Sequence, residues 1–98
     1  MAACAQLADV LAATVFIDGA NRAFGDLTPD QVRNRADELR AAVGFGPTAR
    51  IAPVARAWRE LAMALDQAGA GTVGQLEAER VLVLAPQLWI VPPGGSLL

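Results

Sequence analysis

Apolar residues recur along this chain mostly at three- and four-residue intervals, the period of a helix with one buried face. In the first segment Leu7, Val10, Leu11 and Thr14 share a face, and Phe16, Ala20, Ala23 and Phe24 continue the stripe. Gly25 then stands where a C-terminal cap belongs. The sharpest boundary is Thr28-Pro29-Asp30-Gln31. Thr28 reads as an N-cap, Pro29 as the first helical residue, and Gln31 as the closing member of a capping box. Leu27 and Val32 have the spacing of a hydrophobic staple, and Asp30 suits the positive end of the helix dipole. Val32, Ala36, Leu39 and Val43 predict the buried stripe of this second helix, with Gly44 ending it.

Gly44-Phe45-Gly46-Pro47 predicts a turn, with Phe45 returning to the core. A third helix follows, with Val54, Trp58, Leu61 and Leu65 on one face. Thr48 offers a cap, but Pro53 would then lie inside the helix and cost a hydrogen bond, so a start at Pro53 is preferred. Gly69-Ala70-Gly71 breaks the chain, and Thr72-Val73-Gly74-Gln75 repeats the capping-box pattern. A fourth helix is expected to run from there through Leu76 toward Leu84 and to stop near Pro86. Val81-Leu82-Val83-Leu84 and Leu88-Trp89-Ile90-Val91 flank Ala85-Pro86-Gln87, so a short hairpin competes with helix there. Pro92-Pro93-Gly94-Gly95 ends any regular element. The expected fold is mostly α: a compact bundle of about four helices with an extended C-terminal tail.

Composition narrows the chemistry. The 98 residues allow one domain, whole or cut from a larger protein. There is no His; all eight basic residues are Arg; there is one Cys, Cys4, and no Tyr. Without His there is no Ser-His-Asp or Cys-His couple and no histidine metal site. Without Lys there is neither a Schiff-base lysine nor a P-loop. Cys4 has no basic neighbour and reads as a small apolar residue. Carboxylate neighbours such as Asp37/Glu38 and Glu77/Glu79 diverge on a helix, so no acid–base pair converges. No catalytic residue and no cofactor is expected.

The apolar share is 54% with a mean hydropathy of +0.36, and 21 positions are Ala. A domain this small has too much surface to hide that content alone, which implies self-association or a protein partner. The segment before residue 18 is apolar but holds Gln6 and Asp9, is too short to span a bilayer, and has no basic residue before Arg22. No membrane span and no signal peptide are expected, and a cytoplasmic location follows.

Charge is uneven. From Arg33 to Arg59 six arginines face Asp37 and Glu38, a local net of +4 inside a chain of net −2. Two helices joined by a Gly-containing turn, with arginines on the second, admit a helix-turn-helix reading in which Arg50, Arg56 and Arg59 contact nucleic acid. The acidic whole chain argues against it. Arg33/Asp37, Arg40/Asp37 and Arg56/Glu60 have intrahelical ion-pair spacing, as on a solvated helix face.

Phe16-Ile17-Asp18-Gly19-Ala20-Asn21 resembles the first strand of PIN-like ribonuclease domains of the NYN type. That resemblance implies a divalent-metal nuclease with Asp18 as metal ligand and Asn21 beside it. The helical pattern upstream places Asp18, Gly19 and Asn21 instead on the outer face, or in a kink, of the first helix. Arginine without lysine, abundant alanine and the tail Leu88-Trp89-Ile90-Val91-Pro92-Pro93-Gly94-Gly95 look like proteins of high-GC actinobacteria. They resemble C-terminal helical domains there, some associated with type VII secretion, and this implies an accessory domain. Residues 81–98 carry no charge. Leu88, Trp89, Ile90 and Val91 are therefore the expected interaction residues, because Trp is enriched at interface hot spots and an extended apolar segment can pair with a sheet edge. The expected function is a non-enzymatic protein-interaction domain.

Overall fold

A computed structural model describes residues 2–43 and 51–88, with side chains from residue 7 and none at 43. The fold is mostly α and compact. Helix α1 (Ala2–Ala12) leads into strands β1 (Thr14–Ile17) and β2 (Ala20–Ala23), then a 3₁₀ turn over Phe24–Asp26. Helices α2 (Pro29–Val43) and α3 (Ile51–Ala68) follow, then a 3₁₀ turn over Val73–Gln75, helix α4 (Ala78–Leu84) and a final 3₁₀ turn over Ala85–Leu88.

The expected first helix is broken in two. It stops at Ala12, and the stripe from Phe16 to Phe24 is an antiparallel hairpin in which Ile17 pairs with Ala20 and Thr14 with Ala23. Asp18 (φ 53°) and Gly19 (φ 78°) form the two-residue turn between the strands. Both central residues have positive φ, as a type I′ turn requires, and Asp-Gly is a preferred pair for it. Asp18, Gly19 and Asn21 thus sit on no helix face. Val15 and Ile17 point into the core and Phe16 out of it, an alternation of period two that prevails over the helical reading. Gly25 is likewise no helix cap. It lies in the 3₁₀ turn, where an added Cβ would come within 3.1 Å of Leu11 Cβ, so it permits close packing on α1.

The start of α2 is as expected. The Thr28 amide donates to Gln31 Oε1 at 3.0 Å and the Gln31 amide to Thr28 Oγ1 at 3.3 Å, a reciprocal capping box. Pro53 is the third residue of α3, in the first turn, where backbone amides have no intrahelical acceptor and a missing N–H costs nothing. At the other end Gly69 has φ 63°, its amide donates to Asp66 O, and the Ala70 amide donates to Leu65 O. Those two bonds make a Schellman cap.

The second expected capping box does not head a helix. Gln75 Oε1 accepts from the Gly71 amide at 2.7 Å instead, Thr72 to Gln75 closes as a 3₁₀ turn, and α4 begins at Ala78. Val81–Leu84 is helical, so it is not a strand of a hairpin with residues 88–91. Helix α4 ends at Leu84, just before Pro86 as expected, and Pro86 itself lies in the closing 3₁₀ turn. The turn at Gly44-Phe45-Gly46-Pro47 and the tail from Trp89 onward lie outside the described residues.

Trp58 is the centre of the core at 2% exposure, with the Phe24 ring edge-on to it at 6.2 Å between centroids. Val32 and Ala36 of α2, Leu61 and Leu65 of α3, Ile17 of the hairpin and Val81 and Leu84 of α4 close around them. Helices α2 and α3 pack antiparallel: Arg33 near the start of α2 reaches Asp66 near the end of α3. Their inner faces supply the core, and their outer faces share a groove.

Candidate functional site

The groove follows from helical arithmetic. On α2, Arg33, Ala36/Asp37 and Arg40 recur at i, i+3/i+4 and i+7. On α3, Ala52, Ala55/Arg56, Arg59, Ala62/Met63 and Asp66 recur in the same way, one strip over from the Val54-Trp58-Leu61-Leu65 face. Packed antiparallel, the two strips enclose a groove of about 470 Å³. Alanines leave its floor shallow-walled and apolar. Met63 stands on its wall at 51% exposure.

Four arginines rim the groove against two aspartates, so it carries a local net charge of +2 in a chain of net −2. Arg33 is clamped: Nη2 lies 2.6 Å from Asp30 Oδ1 and Nη1 2.9 Å from Asp66 Oδ2. The hydrogen bond it donates to Asp30, then the charge of Asp66, hold its guanidinium above its ordinary pKa. Arg40, Arg56 and Arg59 have no ion pair among the described residues, which include every Asp and Glu of the chain. The expected pairs Arg33/Asp37, Arg40/Asp37 and Arg56/Glu60 do not form. Arg33 has better-placed carboxylates one turn back and across the helix pair.

Arg35 plays a different part from the other arginines of the cluster. Its side chain is only 24% exposed. Cζ lies 5.5 Å from the centroid of the Trp58 ring, and Nη2 donates to the carbonyl oxygen of Phe16. Nε stands 3.5 Å from Glu38 Oε1, within ion-pair reach but without hydrogen-bond alignment. This one side chain ties the hairpin to both long helices.

The remaining expected site residues are scattered. Arg56 and Arg59 line the groove, while Arg50 lies outside the described residues. Leu88 is buried at 2% exposure and belongs to the core rather than to an outward surface. Trp89, Ile90 and Val91 lie outside the described residues. Asp18 is exposed at the hairpin tip, and no cluster of three or more His, Cys, Asp or Glu suited to a metal occurs among the described residues. None of their helices is long and apolar enough to cross a membrane. No family model, curated protein or solved structure matches the chain. The groove therefore stands on its own geometry. Its signal was present in the sequence as two heptad-spaced strips, Arg33/Asp37/Arg40 and Arg56/Arg59/Met63, but only the antiparallel packing shows that they face each other.

Proposed function

We propose that this chain is a non-enzymatic protein-interaction domain whose binding surface is the α2–α3 groove. One observation carries the reading: Arg40, Arg56 and Arg59 surround an apolar floor with no Asp or Glu paired to them. Interfaces are built this way, with apolar contact in the middle, charge at the margin and Arg enriched over Lys. These cations are available to a partner without breaking a bond to any described residue. The compositional resemblance to actinobacterial accessory domains is in keeping with this role.

Photo-crosslinking from the groove tests it. With a benzophenone side chain at Met63, a discrete protein adduct is expected in cells. The same group at Asp26, away from the groove, is expected to give none. Equal labelling from both positions, or none from Met63, removes the reading. Arg56 and Arg59 on one strip also keep a nucleic-acid reading in view; it requires binding that weakens steeply as salt rises.

A further inference from the structure

On the reading that the groove binds protein, we infer that its occupant is an acidic amphipathic helix of another protein, laid along α2 and α3 as a third helix. Length, depth and charge each point to this occupant. From Ala52 to Asp66 the groove wall on α3 spans fourteen residue steps, about 21 Å of helix axis, which a helix of roughly fourteen residues matches. Alanine at 36, 55 and 62 lets a helix approach closely, since small contact residues set the short end of the interaxial range of about 8–10 Å. Met63, unbranched and polarizable, adapts to an apolar stripe brought against it. Carboxylates flanking that stripe then meet Arg40, Arg56 and Arg59, whose planar forks bind carboxylate in bidentate fashion. This is helix-in-groove recognition with charged margins.

Competing occupants fit less well. A nucleic acid would bring a continuous run of phosphates over Asp37 and Asp66, against a chain of net −2. A second copy has no suitable helix among the described residues. Helix α1 carries one carboxylate, Asp9, and α4 has seven residues with Val81 and Leu84 already buried. Helices α2 and α3 bear the arginines themselves.

The test is a fluorescence-anisotropy titration of the 98-residue chain. The probe is a labelled synthetic peptide of roughly fourteen residues with Leu and Ala on one helical face and Glu on the flanks. A scrambled peptide of the same composition and a single-stranded oligonucleotide of matched charge are titrated beside it, and sedimentation follows the chain alone. The amphipathic peptide is expected to bind, and the scrambled one to bind about tenfold more weakly or not at all. Arg56→Glu with Arg59→Glu should weaken binding by about tenfold or more, whereas Arg22→Glu with Arg80→Glu should leave it unchanged. A Lys-flanked peptide should bind the groove variant in preference to the original chain, which also shows that the variant is folded.

No peptide binding, equal binding of the scrambled peptide, tighter binding of the oligonucleotide, or self-association abolished by the groove variant would each overturn the proposal. A protein adduct from Met63 with a silent titration removes only the helical, acidic occupant. Silence in both removes the underlying reading as well.

Discussion

Arg35 shows how far a residue's role can depart from its class. By charge it belongs with the solvated arginines of α2; by position its guanidinium lies over the Trp58 ring and donates to the Phe16 carbonyl oxygen. A point charge on a flexible stem reproduces neither the delocalised planar cation nor its fork of donors. Arg35→Lys should therefore fail to restore what Arg35→Met loses, a destabilisation of about 1–2 kcal/mol read by denaturant unfolding. A mutant of unchanged midpoint would show that the contact contributes nothing. The hairpin tip gives a second prediction. Gly19 has φ 78° with nothing within 4 Å of an added Cβ, so Gly19→Ala meets backbone strain and no clash. It should cost about 1 kcal/mol, while Asp18→Asn, equally at ease at positive φ, should leave stability unchanged. A large loss for Asp18→Asn would mean that the carboxylate charge has work beyond the turn.

Among the elements, α2 and the core face of α3 were legible in the sequence, and the first segment was not. The reciprocal Thr28–Gln31 cap depends only on residues three positions apart, so local stereochemistry specifies it. Thr28→Ala should destabilise the fold by about 1 kcal/mol. Thermal unfolding followed by circular dichroism would show it, and no shift in midpoint would mean the cap is redundant with α2–α3 packing. The same pattern at Thr72–Gln75 forms no helix, because Gln75 is drawn to the Gly71 amide and Val73 is committed to the core, its amide bonded to Leu27 O. Tertiary context decides between the two. At residues 14–23 helical and strand periods overlap on a few apolar positions, and the Asp18-Gly19 pair is the discriminating signal. Buried positions of α3 follow the helical stripe, with Leu61 fully enclosed. Leu61→Ala should cost about 2–5 kcal/mol, measured by denaturant unfolding.

For the whole molecule, the sequence exposes an excess of apolar and arginine content, and the fold gives part of it a place. The Cα radius of gyration is 13.0 Å, about that of a folded domain of this length, so the chain is compact without a partner in place. Neither of the groove's strips is a site alone. Antiparallel packing of α2 on α3 brings Arg33/Arg40 opposite Arg56/Arg59, and that pairing is a property of tertiary structure, beyond the reach of local pattern. The most direct measurement is an amide chemical-shift map of the isotopically labelled chain as the acidic amphipathic peptide is added. Docking in the α2–α3 groove predicts shifts concentrated on residues 33–40 of α2 and 52–66 of α3, fading as salt screens the rim, with the hairpin and α4 unmoved. Shifts centred on the hairpin or α4, or none at saturating peptide, would contradict it.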